Sequence, residues 1–267
     1  LTGMDTPTQA NLPGYDVPFR KRLFRSLIRP VFRMIFYIIC RLKVTGLENV
    51  PQQGAYLIAI NHISLYEAPF ILSFWPMAPE VVGAVDIWSK PGQSTLARLY
   101  GGIPLRRGEY DRKVLDIAIS ALQPGRPLLI APEGGRSHTP GMRRALPGVA
   151  FLMDMAQVPV VPVGIVGTTD DMMYKALHAR KPRIEMHIGK PIQLIPAEGK
   201  GEVKRGARQR NADLVMYRIA DLVPEEYRGV YCHVPFNTPY TPDWVFYSRA
   251  GPAAPPDIWP AGSKEIF

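Results

Sequence analysis

The sequence has few cysteines, no long apolar run and no excess of acidic residues. Its only two cysteines, Cys40 and Cys232, lie far apart and outside any metal-like spacing, which predicts reduced thiols rather than a disulfide framework or a zinc site. No apolar run reaches the roughly 18 residues of a membrane-spanning helix. With 46% hydrophobic and 21% charged residues, a core is available and global disorder is excluded. The 267 residues fit one α/β catalytic domain with extensions.

The net charge of +9 predicts attraction to polyanions, either nucleic acid or an anionic membrane surface. No recognised nucleic-acid-binding module or base-stacking platform accompanies this charge, so we expect no nucleic-acid partner. Residues 1–18 are polar and turn-rich without a signal-peptide pattern, which predicts a flexible leader. The position of the basic residues along the rest of the chain therefore indicates which part of the protein would meet an anionic surface.

Residues 19–43 form a basic, amphipathic segment. Pro30 is expected to kink or divide the helix that this segment predicts. The helix either lies in a membrane interface with its arginines at anionic headgroups, or packs against its own domain. We favour the first interpretation, which predicts a peripheral or monotopic protein on the cytoplasmic face of the plasma membrane. Four arginines recur at steps of three and four, and so share one helix face: Arg22, Arg25, Arg29 and Arg33.

Residues 44–223 alternate short apolar runs with helical patterns, which is typical of an α/β domain. This pattern predicts a single domain with a mostly parallel or mixed central sheet flanked by helices. Since ligands of open α/β sheets bind at the carboxyl ends of strands, the polar residues that follow the apolar runs are site candidates. Strands are predicted at 55–60, 127–131 and 158–166, and helices at 66–75, 111–123, 147–157 and 206–223.

The first predicted strand runs into a polar motif that begins at Asn61. Ser64 and Glu67 have the spacing of a helix capping box, which would make Glu67 a helix-start residue and His62 a loop histidine. The same tight turn can bring the Glu67 carboxylate beside the His62 ring. A carboxylate on one ring nitrogen raises the basicity of the other, which can then take a proton from a substrate hydroxyl. The motif therefore predicts either a helix cap or a general base.

The second predicted strand is followed by Glu133 and a glycine-rich turn. Gly134 and Gly135 permit positive φ and a close backbone approach. Arg136, followed by Ser137, offers a forked donor for a phosphate or a carboxylate. This turn is the second candidate binding site.

Between these two motifs, a stretch at 101–107 begins with two glycines and ends with the paired arginines Arg106 and Arg107. Each of these arginines is either an anion ligand or a solvated surface charge. A further apolar run at 158–163, interrupted by prolines, is expected to form a buried strand under the site.

In chain order, these four stretches resemble the conserved blocks of one protein family. The patterns Asn-His-x-Ser-x-x-acid, Gly-x-Ile-x-Leu-x-Arg, Pro-Glu-Gly-x-Arg-Ser and Val-Pro-Val-Val-Pro-Val are similar to those of the glycerolipid and lysophospholipid acyltransferases. The resemblance extends over roughly residues 44–195, and four blocks in order make it specific. The blocks lie at 61–67, 101–107, 132–137 and 158–163.

The resemblance implies transfer of a fatty acyl chain from acyl-CoA or acyl-carrier protein to the hydroxyl of a lysophospholipid. The expected acceptor is 1-acylglycerol-3-phosphate, which gives phosphatidic acid, and neither a bound cofactor nor a metal ion is expected. By analogy His62 is the general base and Glu67 orients it, Arg107 holds the acceptor phosphate, Glu133 and Arg136 position the acceptor, and Gly134 and Gly135 shape the pocket floor. Arg106 and Ser137 are further candidates for substrate binding.

Three positions depart from the family pattern. Glu67 replaces the usual aspartate, Gly135 replaces a threonine, and Leu146 begins a stretch where a Lys-Gly pair is common, with Arg143 and Arg144 just before it as substitutes. These departures motivate an alternative hypothesis, in which the chain is a non-catalytic or weakly active subunit of a membrane protein assembly. A third hypothesis keeps the enzyme and changes the acceptor to another lysolipid or a glycolipid.

Residues 224–267 differ in composition from the domain, because they are dense in both proline and aromatic residues. Proline at this density prevents helices and central strands, whereas aromatic residues are scarce in fully solvated tails. The segment therefore predicts an extended arm that packs on its own domain or on a partner protein.

Overall fold

The computed structural model describes residues 14–106 and 112–232 of the chain. Within these ranges seven strands form one sheet: β1 (Arg41–Thr45), β2 (Tyr56–Ile60), β3 (Glu80–Ala84), β4 (Ile103–Leu105), β5 (Pro127–Ile130), β6 (Val160–Val166) and β7 (Arg183–Ile188). Their order is β1-β7-β6-β2-β5-β3-β4, and all neighbours are parallel except the antiparallel pair β6 and β7. The predicted α/β class with a mixed central sheet is confirmed.

Helices cover both faces of this sheet. In the described part of the chain they are α1 (Phe19–Ile39), α2 (Glu67–Phe74), α3 (Gln93–Tyr100), α4 (Arg112–Leu122), α5 (Pro147–Ala156), α6 (Met172–Leu177), α7 (Gly201–Ala220) and α8 (Glu225–Arg228). Short 3₁₀ turns occur at Leu47–Asn49, Val85–Ser89 and Gly229–Tyr231.

The sheet divides the core into two layers. One layer packs α4, α5 and α7 against the sheet, and the other packs α1, α2 and α6 against its opposite face. Every residue of β2 and β5 is buried, because these central strands have helices on both sides. Strands buried on both faces have continuous apolar sequences. This is why the three strands before the polar motifs could be recognised in the sequence.

Three of the four arginines predicted to share one face of α1 bind the domain, which contradicts the prediction that this face as a whole meets lipid headgroups. Arg25 is only 4% exposed, whereas Arg22 remains exposed. The last carbonyls of a helix have no partner within the helix, and arginine side chains can satisfy them. Two arginines do so at and just beyond the C-terminal end of α2: Arg29 donates to the carbonyls of Leu72 and Trp75, and Arg33 to that of Ser73.

The outward face of α1 is instead an apolar stripe. Its residues recur mostly at steps of three or four, as one face of a helix requires. Among the described residues, no helix has the length and hydrophobicity to cross a membrane. We refer to the following exposed residues as the apolar stripe: Phe19, Leu23, Leu27, Val31, Met34, Ile35, Tyr37 and Ile38.

Three predicted boundaries differ in the structure. α1 continues through Pro30 without division, because the arginines at 29 and 33 attach the turns next to it to α2. Residues 41–43, assigned to the helical segment from the sequence, form the first part of β1 and pair with β7. Residues 224–232 are not extended, since α8 and a 3₁₀ turn pack here with two buried tyrosines. The rest of the predicted arm and residues 1–13 lie outside the described residues.

Candidate active site

Three turns meet at the carboxyl end of the sheet because the strands before them are neighbours. β2 lies between β5 and β6 and is parallel to both. The turns after β2, β5 and β6 carry His62, Glu133 and Thr168, respectively. The backbone also joins the first two turns, since the amide of Ser137 donates to the carbonyl of His62 at 2.8 Å. The predicted motifs at 61–67 and 132–137 therefore form one site.

A buried carboxylate holds the His62 ring. Nδ1 of His62 lies 2.9 Å from Oε2 of Glu67, whose side chain is fully buried, while the side chain of His62 is 20% exposed. A carboxylate only accepts hydrogen bonds, so Nδ1 carries the proton and the lone pair of Nε2 is available as a base. The longer side chain of Glu67, compared with aspartate, does not prevent this pair.

Hydrogen-bond donors surround the remaining lone pairs of the Glu67 carboxylate. Ser64 donates from its amide at 3.0 and 3.1 Å to the two oxygens and from its hydroxyl at 3.2 Å. Thr168, which is fully buried, donates from its hydroxyl at 2.5 Å. The hydrogen bond from the Ser64 amide to the Glu67 carboxylate is the reciprocal half of a capping box. The helix-start role and the contact with His62 are therefore both present in this structure.

Glu133 is also buried, but its carboxylate binds backbone amides. Oε1 accepts from the amide of His62 at 2.8 Å, and Oε2 accepts from the amide of Arg143 at 2.7 Å. Burial raises the pKa of Glu133 to about 7, against the lowering effect of the two amide hydrogen bonds. The side chain of Glu133 is 1% exposed and does not face solvent. Its hydrogen bond from the His62 amide fixes the position of the His62 backbone.

The turn after Glu133 folds back on itself. Gly134 has a φ of +63°, and a Cβ at this position would lie 2.2 Å from Cδ1 of Leu146. Only glycine fits here, as the sequence predicted. Gly135 is buried beside it, and Arg136 is half-buried.

Of the two arginines that stand before Leu146, one lies near the site. Arg143 is exposed, its amide binds Glu133, and its guanidinium donates to the carbonyl of Arg136 at 3.4 Å. Arg144 instead faces α7, with Nη2 3.7 Å from the carboxylate of Asp213. Arg143 is therefore the better placed of the two to contact an anionic ligand.

The second block lies farther out in the sheet. Its strand, β4, is at the edge and is separated from β5 by β3. Arg106 follows this strand and is exposed, whereas Arg107 lies outside the described residues. The described residues thus bring His62, Glu67 and the 133–137 turn together, and they leave the second block at the margin.

Two residues at the site had no role assigned from the sequence. Asn61 is buried and binds β6 through both ends of its amide: Nδ2 donates to the carbonyl of Ile165 at 2.8 Å, and Oδ1 accepts from its amide at 2.7 Å. Thr168, described above, is the second. Its position directly after the β6 run was the available signal, since the other motifs also follow their strands directly. Within the described residues, no three His, Cys, Asp or Glu side chains are grouped so that they could hold a metal ion.

Residues 41–166 match the model of a protein family described as Acyltransferase. The structure is also similar to the crystal structure of the 1-acyl-sn-glycerophosphate acyltransferase PlsC from Thermotoga maritima, with a TM-score of 0.52 and 22% sequence identity. That similarity covers 73% of this chain and 79% of the Thermotoga chain. At this identity the similarity shows a shared fold. The family match independently covers β1 to β6, including the turns that carry His62 and Glu133, and it ends before the turn that carries Thr168.

Proposed function

We propose, on the premise that residues 41–166 match the acyltransferase family, that this chain moves a fatty acyl chain from a thioester to the free hydroxyl of a lysophospholipid. The proposed acceptor is 1-acylglycerol-3-phosphate, which would give phosphatidic acid. The observation that carries the proposal is His62, whose ring is fixed by buried Glu67 while Nε2 remains available. The fold shared with the Thermotoga enzyme, which is named for the same acceptor, supports this assignment.

In the proposed reaction, Nε2 of His62 takes the proton of the acceptor hydroxyl while the hydroxyl oxygen bonds to the thioester carbon. The carbon–sulfur bond then breaks, and His62 returns the proton to the departing thiolate. An ester and a free thiol result. Glu67 orients the ring and offsets the positive charge that it gains. General-base catalysis supplies about 10²–10⁴-fold in rate, and alignment of the two bound reactants must supply much of the rest.

The arginines around the site support an acceptor that carries a phosphate. Arg136 and Arg143 lie on the loop that follows Glu133, and a guanidinium can bind two phosphate oxygens at once. We assign the acceptor phosphate to these two residues, together with Arg106 and Arg107 of the second block. Acyl-CoA or acyl-carrier protein is the proposed donor. An acceptor without a phosphate would be indicated if Arg143→Ala and Arg107→Ala left its KM unchanged.

We also propose that the apolar stripe of α1 places the protein on a membrane. A lysophospholipid resides in a bilayer, and an amphipathic helix with an exposed apolar face binds at the bilayer interface. The stripe replaces the arginines as the proposed membrane contact, because Arg25, Arg29 and Arg33 bind the domain. The net charge of +9 favours an anionic leaflet, so we propose the cytoplasmic face of the plasma membrane.

The test is thiol release from acyl-CoA by the purified full chain, with and without 1-acylglycerol-3-phosphate in mixed micelles. We expect release that depends on the acceptor, with phosphatidic acid as the lipid product. His62→Ala should lower the rate by about 10²–10⁴-fold. His138→Ala is the matched control, because this exposed histidine on the adjacent turn pairs with Asp170 and not with Glu67.

Full activity of His62→Ala would contradict the proposed mechanism. If acyl-CoA gives no release, the same assay with acyl-carrier protein and with other lysolipids decides whether the donor or the acceptor was wrong. If every donor and acceptor fails, the chain is better explained as a subunit of an assembly, with residues 233–267 of the predicted arm as a candidate contact.

A further inference from the structure

Residues 227–231, which we call the brace segment, contact two different turns of the candidate site. The segment comprises the end of α8 and the following 3₁₀ turn. Both of its tyrosines, Tyr227 and Tyr231, are buried. From the sequence this region was expected to be an extended arm, so its contacts are new information about the site.

The first contact leads to Glu67. The hydroxyl of Tyr227 accepts a hydrogen bond from the amide of Gly167 at 3.0 Å. The next residue is Thr168, whose hydroxyl donates to the Glu67 carboxylate at 2.5 Å. Glu67 in turn holds the His62 ring. Tyr227 therefore fixes the turn that completes the hydrogen-bonding of Glu67.

The second contact leads to Glu133. Met142 pairs with the brace segment through its backbone: its amide donates to the carbonyl of Tyr227 at 3.1 Å, and its carbonyl accepts from the amide of Val230 at 3.2 Å. The residue after Met142 is Arg143, whose amide donates to Glu133 at 2.7 Å. The brace segment therefore contacts Gly167 and Met142. Each of these residues directly precedes one that donates a hydrogen bond to a buried carboxylate, namely Thr168 to Glu67 and Arg143 to Glu133.

Tyr231 fixes the far end of the same loop. Its hydroxyl accepts from the amide of Ala145 at 3.0 Å and donates to Asp213 of α7 at 2.8 Å. Gln209, also on α7, donates to the carbonyl of Ala145 at 3.0 Å. Residues 142–145 are therefore attached at both ends, by Tyr227 and Val230 at one end and by Tyr231 at the other.

Gly229 allows this close approach. Its φ is +53°, and a Cβ at this position would lie 2.2 Å from the carbonyl oxygen and 2.4 Å from the amide nitrogen of Met142. A side chain here would push the loop and the brace segment apart. The contact between Gly229 and Met142 therefore requires glycine at position 229, and even replacement by alanine is expected to disturb it.

We propose that the brace segment positions the two carboxylates that flank His62, with Tyr227 acting on Glu67 through Thr168 and Gly229 acting on Glu133 through Arg143. These are positioning residues, since neither reaches the His62 ring. This inference deepens the proposed function and rests on it where activity is the readout. Because the loop also carries Arg143, Gly229 is expected to affect acceptor binding as well as turnover, whereas Tyr227 is expected to affect turnover alone.

The first test compares Tyr227→Phe with Tyr217→Phe. Tyr217 is a neighbouring tyrosine that contacts the Tyr231 ring and for which no hydroxyl hydrogen bond is found in the described residues. Loss of one buried hydrogen bond should lower kcat of Tyr227→Phe roughly three- to tenfold, with KM for the acceptor unchanged. Tyr217→Phe should keep both constants. An unchanged kcat in Tyr227→Phe, or an equal loss in both variants, would overturn the assignment of Tyr227.

The second test compares Gly229→Ala with Gly54→Ala. Both glycines have positive φ, but a Cβ at Gly54 would meet nothing within 4 Å. Gly229→Ala should raise KM for the acceptor and lower kcat, while Gly54→Ala carries only the local backbone strain. Wild-type constants for Gly229→Ala would contradict the role of the brace segment.

A third measurement does not depend on acyl transfer. Amide hydrogen exchange of the full chain should be faster in peptides that cover 62–67 and 165–168 when Tyr227 is replaced by Phe, and unchanged when Tyr217 is. If the wild type shows no acyl transfer but exchange changes as expected, the proposed function fails and the brace stands. If exchange at these peptides does not change, the brace fails whatever the activity.

Discussion

Buried glutamates occupy both ends of the central sheet, and they are stabilised in different ways. At the amino end, Glu80 begins β3 and is fully buried. Arg25 binds its two oxygens at 2.7 Å each, Arg126 adds a contact at 3.1 Å and the hydroxyl of Tyr15 donates at 2.6 Å. At the carboxyl end, the hydrogen bonds found for Glu133 in the described residues come from backbone amides. One residue type is thus paired with cations at one end and with neutral donors at the other.

The pKa values show the consequence of this difference. Burial alone would raise the pKa of Glu80, but the hydrogen bonds and charge of Arg25 outweigh it, so the pKa is lowered overall. Burial also raises the pKa of Glu133, and its two amide contacts do not compensate, so the value is about 7. We conclude that the amino end uses its carboxylate to attach α1 and residues 14–18 to the sheet. At the carboxyl end, the donors found for Glu67 and Glu133 among the described residues are backbone amides, hydroxyls and the His62 ring.

The largest expected effect on stability comes from removing a cation at the amino end. Arg25→Ala leaves Glu80 buried with its strongest partner lost, which should lower the free energy of unfolding by about 3–5 kcal/mol. Arg22→Ala, one turn earlier on the same helix and exposed, should change it by no more than about 0.5 kcal/mol. Chemical denaturation of both variants measures this difference. Equal losses would show that Glu80 does not depend on Arg25.

The two ends should also respond to pH with opposite signs. Protonated Glu133 stabilises the fold below its unfolded pKa of 4.5, and this contribution is lost as the pH rises to about 7. Glu80 has a lowered pKa, so its contribution is present above 4.5 and is lost as the pH falls.

The measurement is the difference in unfolding free energy between wild type and Glu133→Gln, and between wild type and Glu80→Gln, from pH 4 to pH 8. The first difference should fall with pH in the range from 4.5 to about 7, and the second should be smallest at the acid end. If both differences in unfolding free energy changed with pH in the same direction, the contrast between Glu133 and Glu80 would be contradicted.

The smallest expected effect concerns the side of α1 that faces away from Glu80. Leu27→Glu places a charge in the apolar stripe and should reduce partitioning onto anionic lipid vesicles by about 10- to 100-fold, since burial of one leucine is worth about 1.5–3 kcal/mol. Val203→Glu is the control, because Val203 is also exposed but lies on α7, across the sheet from α1. Co-sedimentation with vesicles measures both. Equal binding of Leu27→Glu and wild type would contradict the membrane contact.

The central strands and their motifs could be predicted from the sequence because burial on both faces gives β2, β5 and β6 unmistakable apolar runs. β1 and β7 at one side of the sheet alternate exposed or half-buried residues with more buried ones, and β4 has three residues. Patterns that short or mixed do not distinguish strands from loops.

The periodicity of α1 likewise showed that the arginines share a face but not which way that face points. The direction is set by Glu80 and by the end of α2, and Glu80 is 55 residues from Arg25. For the candidate site, the pairing of His62 with Glu67 could be predicted from the sequence because both residues belong to one turn. The contacts of Thr168 and Tyr227 join turns about 60 residues or more apart, so they became visible only in the fold.

We expect the carboxyl-end carboxylates to serve the proposed reaction and the amino-end carboxylate to serve the fold. The most direct test measures turnover per folded molecule and unfolding free energy together, for Glu67→Gln and Glu80→Gln. Glutamine keeps the size of each side chain and removes its charge, and the hydroxyls of Ser64 and Thr168 can accept as well as donate beside a glutamine at 67. We predict that Glu67→Gln loses most of its turnover and little stability, and that Glu80→Gln loses stability while its folded fraction keeps turnover. Full turnover in Glu67→Gln, or loss of turnover in folded Glu80→Gln, would contradict the account.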